Sequence, residues 1–149
     1  VSQKVEQIES RASRSAAIAS DGMVATSQPL ATLTGLDVLR RGGNAVDAAI
    51  AANAMQGLVE PMSCGIGGDL FILYWDAKSQ KLYGLNGSGR SPYSLTRDVF
   101  TKRAMDQIPL EGPESWSVPG CVRGWEDLRA RCGTFALSEL LAPSIEYAP

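Results

Sequence analysis

The apolar positions of this chain fall into patterns of different period, and each predicts a different element. Leu30, Leu33, Leu36 and Leu39 recur every three residues between Pro29 and the basic pair Arg40-Arg41. That spacing predicts a helix with a first-turn proline and with cations at its negative end. Ser27 is the expected N-cap and Gly42-Gly43 the stop, while Met23 to Thr26 ahead of it form a short strand-like run. Asn44 opens a second helix, Ala45 to about Leu58. Its side chain can accept from a free first-turn N–H, and Asp47 stands where a carboxylate meets the positive end of the macrodipole. Alanine dominates this helix, so a neighbouring backbone can approach it closely and it should be buried.

Helical period is lost in Glu60-Pro-Met-Ser-Cys-Gly-Ile-Gly-Gly-Asp69. The three glycines permit positive φ or close backbone approach, which predicts a structured loop. Leu70 to Trp75 and Lys81 to Asn86 are aromatic and β-branched runs joined by the polar stretch Asp76 to Gln80, the pattern of a β-hairpin. A hairpin is marginal alone in water, so this one should belong to a larger sheet. Its second strand leaves through Asn86-Gly-Ser-Gly-Arg-Ser-Pro92, which presents Arg90 among small residues, where it can reach a ligand carboxylate or else stand as a turn arginine facing solvent or bonded to nearby carbonyls. Residues 105–120 read as loop, and Val122, Trp125, Leu128 and Cys132 recur at helical spacing before Gly133. Residues 136–148 are helical again, with Pro143 expected to force a break or restart. The fold class is α+β, with residues 1–20 as an extension and residues 21–149 as an incomplete portion of one domain.

Composition narrows the chemistry. With 149 residues, 44% hydrophobic and 20% charged, the chain can form one modest core. A net charge of −2 with interspersed signs leaves no footprint for nucleic acid, and no apolar run approaches the roughly 20 residues of a membrane span. Residues 1–20 lack the apolar core of a secretory signal, which leans the expectation toward the cytoplasm, or toward a periplasmic or secreted protein if an upstream signal is removed. Cys64, Cys121 and Cys132 are expected as small buried hydrophobes, with Cys121–Cys132 as a pairing open in an oxidising compartment. Histidine is absent. A hydrolytic base must then be a carboxylate, a lysine, a cysteine or an amino terminus, or else it lies elsewhere. Gly65, Gly67 and Gly68 do not form a phosphate cradle, because no P-loop lysine follows and the next element is a strand. Asp47, Asp69 and Asp76 are assigned structural roles, and Glu60 is open to either kind. Trp116 and Trp125 could line a cleft, although the spacing of Trp125 favours the core.

The order of Gly22-Met-Val-Ala-Thr-Ser-Gln-Pro-Leu-Ala31, Gly42-Gly-Asn-Ala-Val-Asp-Ala-Ala49, Glu60-Pro-Met-Ser63 and Gly65-Ile-Gly-Gly68 resembles the large-subunit start of the gamma-glutamyltransferase family. Trp116-Ser-Val-Pro-Gly120 and Leu140-Leu-Ala-Pro-Ser-Ile-Glu-Tyr-Ala148 extend the resemblance over roughly residues 21–148. It implies an αββα Ntn-hydrolase sandwich, made as a precursor that cleaves itself into a large and a small subunit. The nucleophile is then the amino-terminal threonine of the small subunit, whose own amine serves as base, so no histidine is needed. That threonine and the oxyanion-binding glycines lie beyond residue 149, this chain alone is expected to be inactive, and its partner is its own small subunit. No metal or organic cofactor is implied. The family contact expected here is an arginine for the α-carboxylate of the γ-glutamyl group, a task suited to a guanidinium fork. Counting back from Pro92, that position falls on Ser88, and an arginine stands two places later, at Arg90. The surroundings of Cys64 and Asp69 also differ from the serine and extra glycine common in the family. The resemblance therefore implies γ-glutamyl transfer or hydrolysis with glutathione-like donors, with Arg90 and its neighbour Ser88 as substrate-binding residues. The alternatives are an Ntn acylase of different acyl preference and a non-catalytic structural piece.

Overall fold

The computed structural model describes residues 15–149. Most of the expected N-terminal extension, residues 1–14, lies outside them. Five helices, one hairpin and a single 3₁₀ turn make up the described chain: α1 (Pro29–Arg40), α2 (Ala45–Val59), β1 (Phe71–Asp76), β2 (Lys81–Asn86), α3 (Arg97–Lys102), the 3₁₀ turn Pro113–Ser115, α4 (Cys121–Cys132) and α5 (Leu137–Tyr147). The class is α+β, as expected.

Helix α1 starts on Pro29 as predicted, but Gln28 occupies the N-cap position and Ser27 bonds elsewhere. Met23 to Thr26 form no strand. The buried face of α1 is Ala31, Thr34, Gly35 and Val38, whereas Leu33 faces solvent. The reason is geometric: steps of three drift around a 3.6-residue helix, whereas i, i+3, i+4, i+7 stay on one side. The small residues of that face let α1 and α2 approach closely. A Cβ on Gly35 would stand 3.2 Å from the Ala48 carbonyl oxygen and 2.9 Å from a Val24 methyl.

Helix α2 begins with a reciprocal cap. Asn44 Oδ1 accepts from Val46 N (2.9 Å) and Asp47 N (3.1 Å), and Asp47 Oδ2 accepts from Asn44 N (2.9 Å). The helix is buried on most sides, with Val46, Ala48, Ile50, Ala51, Ala52 and Met55 in the core. Asp47 is fully buried as well, and its carboxylate also accepts from Thr134 N and Oγ1 and from Phe135 N across the turn between α4 and α5. Asn44 Nδ2 donates to the Cys132 carbonyl at 2.6 Å. The start of α2 is thus riveted to the turn that aims α5.

Helix α4 buries Cys121, Gly124, Trp125 and Leu128, again an i, i+3, i+4, i+7 set, and Val122 points outward. Trp125 Nε1 donates to Asn53 Oδ1 at 2.9 Å, so the one polar atom of this core ring is satisfied. Helix α5 runs unbroken through Pro143. The proline removes one intrahelical donor, while the fully buried Leu140 one turn earlier fixes the helix against α2. Cys121 and Cys132 are the first and last residues of α4, about 16 Å apart at 1.5 Å per residue, too far for the pairing left open by the sequence. All three cysteines are free.

Strands β1 and β2 are antiparallel in the register Phe71↔Asn86 to Asp76↔Lys81, and Leu70 and Gly87 add one further bonded pair. Asp76 closes the turn by accepting from Lys78 N and Ser79 Oγ. Ile72 and Tyr74 pack toward α4, whereas Phe71, Leu73 and Trp75 are 66%, 79% and 57% exposed.

Candidate functional site

Three loops converge where the hairpin meets the start of α4. Gly68 O accepts from Gly120 N (3.2 Å) and Cys121 N (3.1 Å), which ties the glycine loop to the helix. Val118 N donates to Arg90 O at 2.8 Å, which ties the exit of β2 to the same segment. Gly89 has φ +73°, and a Cβ there would overlap the Val118 carbonyl; one on Gly120 would overlap the Gly87 carbonyl. Only hydrogen side chains allow two backbones to cross this closely. Ser117 Oγ donates to Asp69 Oδ1 at 3.3 Å and closes the junction on the third side.

Arg90 is exposed at this junction, with its backbone held by Val118 and its Nη1 donating to Tyr93 Oη at 3.3 Å. Among the described residues, Arg41, Arg103, Arg123 and Arg129 each stand within 4.0 Å of a carboxylate, and Arg90, like Arg40, Arg97 and Arg131, does not. Its charge is thereby left available to an external anion. Ser88 is half-buried two residues earlier, its N–H donating to Asn86 Oδ1 at 3.0 Å. Tyr93 escaped the sequence reading, as did α3, for which Thr96 and Asp98 were available as start signals.

Beside the junction lies a cleft of about 920 Å³ whose wall includes Cys64, Gly65, Gly67, Trp116, Ser117 and Cys121. Neither Ser88 nor Arg90 lines it. Trp116 is exposed on its rim, and Trp125 reaches it from the core, so both readings of the tryptophans hold in part. The close approach expected of the loop glycines falls instead at Gly57, where a Cβ would come within 3.3 Å of Gly65 Cα; Gly65 and Gly67 have open space beside them. Burial pushes the Cys64 and Cys121 thiols above their ordinary pKa, which keeps them protonated and poor as nucleophiles.

Two carboxylates with shifted titration have structural partners. For Asp47, burial raises the pKa, but the Thr134 hydroxyl and the N–H groups of Asn44, Thr134 and Phe135 outweigh it and hold the carboxyl below its usual value. Glu60 is held low by the Ser27 and Ser63 hydroxyls. Ser27 Oγ donates to Glu60 Oε2 at 2.5 Å and Gln56 Nε2 donates to the same oxygen, which straps the segment before α1 to the end of α2. No cluster of three or more His, Cys, Asp or Glu side chains suited to a metal occurs among the described residues, nor is any described helix long and apolar enough to cross a membrane.

The family model described as gamma-glutamyltranspeptidase matches residues 31–149. The glutathione hydrolase proenzyme of Bacillus subtilis (strain 168) is 37% identical over 135 residues, covering 88% of this chain and 23% of the relative. Gamma-glutamyltranspeptidase from Helicobacter pylori has a similar structure, with TM-score 0.81 and 31% identity over 90% of this chain and 39% of that one. Cephalosporin acylase from Bacillus halodurans gives TM-score 0.85 and 44% identity over 99% of this chain and 27% of that one. The chain spans about a quarter of the length of the curated relatives it matches. The extent of these matches places it: the chain belongs to the gamma-glutamyltranspeptidase family and corresponds to the amino-terminal part of that family's large subunit.

Proposed function

We propose that the complete protein transfers or hydrolyses γ-glutamyl groups through an acyl-threonine intermediate, and that Arg90 receives the α-carboxylate of the donor. The threonine belongs to the small subunit, with which this chain pairs. The observation that carries the reading is the placement of Arg90: an exposed guanidinium without a carboxylate partner among the described residues, on a backbone clamped by Val118, in a chain of this family. The nucleophile's amine abstracts the threonine hydroxyl proton and later returns it to the leaving amine, and the acyl-enzyme is resolved by water or by an acceptor amine. Arg90 contributes by fixing the donor so that its γ-carbonyl lies before that hydroxyl. Ser88, two residues before it, offers a hydroxyl to the same ligand.

A second reading, an acylase of different acyl preference, is favoured by the 44% identity to cephalosporin acylase and by the arginine standing at position 90, with serine at position 88. One experiment separates the two. The complete two-subunit enzyme and its Arg90→Ala variant are assayed on γ-glutamyl and glutaryl anilides. The first reading expects faster turnover of the γ-glutamyl anilide and a KM for it raised roughly tenfold to a hundredfold by the substitution, the size of a lost charge-assisted pair. An unchanged KM rejects Arg90 as the carboxylate site, and preference for the glutaryl anilide supports the acylase.

A further inference from the structure

The arginine proposed for the donor carboxylate is not held by charge. Its contact is with an uncharged group, Nη1 donating to Tyr93 Oη at 3.3 Å. Both backbones that present this pair are fixed independently: Arg90 O accepts from Val118 N (2.8 Å), and Tyr93 sits inside a turn closed by Leu95 N donating to Pro92 O (2.9 Å). Tyr93 is itself 89% exposed, so no packing among the described residues explains its position. Arginine carries five N–H donors in a planar fork. A hydroxyl on Nη1 uses one of them and leaves the whole Nε–Nη2 edge free for two parallel bonds to a carboxylate. A carboxylate in the tyrosine's place would neutralise the cation and compete with the ligand, whereas a phenol orients it and leaves its charge intact.

We infer that Tyr93 is a positioning residue for Arg90, whose hydroxyl sets the guanidinium fork so that its free edge meets the donor carboxylate. The inference rests on the function proposed above. Tyr93 acts through Arg90 and has no part in making or breaking bonds, so its removal should act on donor binding and leave turnover alone.

The test uses the complete two-subunit enzyme, with γ-glutamyl anilide and the same anilide carrying an α-carboxamide in place of the α-carboxylate. Tyr93→Phe removes only the hydroxyl. On the γ-glutamyl anilide it should raise KM about threefold to tenfold, as for one exposed hydrogen bond that orients the guanidinium without touching the donor, with kcat within twofold. On the carboxamide it should change neither constant. In an Arg90→Ala background it should have no further effect, since the two residues act as one unit. If Arg90→Ala raises KM and Tyr93→Phe does not, the positioning role is overturned while the carboxylate site stands. An equal rise on both donors overturns it too, because the hydroxyl then serves another part of the substrate. If Arg90→Ala itself leaves KM unchanged, the carboxylate reading fails and the inference falls with it.

Discussion

Asp47 carries more structure than any other single side chain in the described chain. It closes the cap of α2, and 87 residues further on it accepts from the N–H groups of Thr134 and Phe135 and from the Thr134 hydroxyl. Its role at the helix terminus was legible, because Asn at the cap and Asp three residues later form a local pattern. The long-range role was not, since no sequence spacing encodes which turn will fold back onto a carboxylate. Replacing Asp47 with Ala leaves those buried donors without an acceptor and should cost roughly 2–4 kcal/mol, read by denaturant unfolding of the complete protein. The pH dependence follows from the direction of its shift. The folded-state pKa lies below the unfolded value of about 3.9, so the ionised form is favoured by folding. Its stabilisation is fully present above the unfolded pKa and is lost as pH falls through the folded one. Asp47→Asn should therefore be less stable than the parent at neutral pH, and the gap should narrow in acid. A gap that stays constant with pH would show that the charge is irrelevant there.

Helices and loops followed the sequence where the signal was local. The cap of α2, the hairpin with its Asp76 turn, and the stops at Gly42 and Gly133 were all read from neighbouring residues. Two helices, α1 and α4, were placed correctly but oriented by their large apolar residues, whereas the buried faces use Ala31, Thr34, Gly35 and Gly124 as well. Small residues carry little hydrophobic signal, yet they decide how closely two backbones pack. Met23 to Thr26 had strand composition and, among the described residues, no strand beside them, and composition alone cannot supply a partner. The junction around Arg90 illustrates the same limit. Arg90 was visible as a cation among small residues, but the Val118 clamp and the Gly87–Gly120 crossing join segments about thirty residues apart. Gly120→Ala tests that element directly. Its Cβ would overlap the Gly87 carbonyl, so the loop that carries Arg90 must shift. We expect a loss of about 1–3 kcal/mol in stability, as for other overpacked sites, together with a higher KM for γ-glutamyl donors. Unchanged stability and KM would mean that the junction is slack.

For the whole molecule, the open hairpin is the feature that most constrains what surrounds this chain. Leu70 and Gly87 exchange both backbone bonds, so in the alternating antiparallel ladder the bonded pairs are Leu70–Gly87, Ile72–Leu85, Tyr74–Tyr83 and Asp76–Lys81. The N–H groups of Phe71, Leu73 and Trp75 then point off one edge, and those of Leu82, Gly84 and Asn86 off the other. Above them Phe71, Leu73 and Trp75 form an exposed apolar face. A free edge beside an apolar face invites pairing with any strand available, and among the described residues only the Ile72–Tyr74 side of this hairpin is packed. In the complete protein the remaining chain should extend this sheet on at least one side and cover its face. Amide hydrogen exchange tests this residue by residue. In the assembled enzyme, the outward N–H groups of one strand should be protected as strongly as those of Ile72 and Tyr74, which are bonded within the hairpin. If the outward amides of both strands exchange at loop rates while Ile72 and Tyr74 stay protected, the hairpin stands apart from any larger sheet. The site proposed at the end of β2 would then be completed by loops alone.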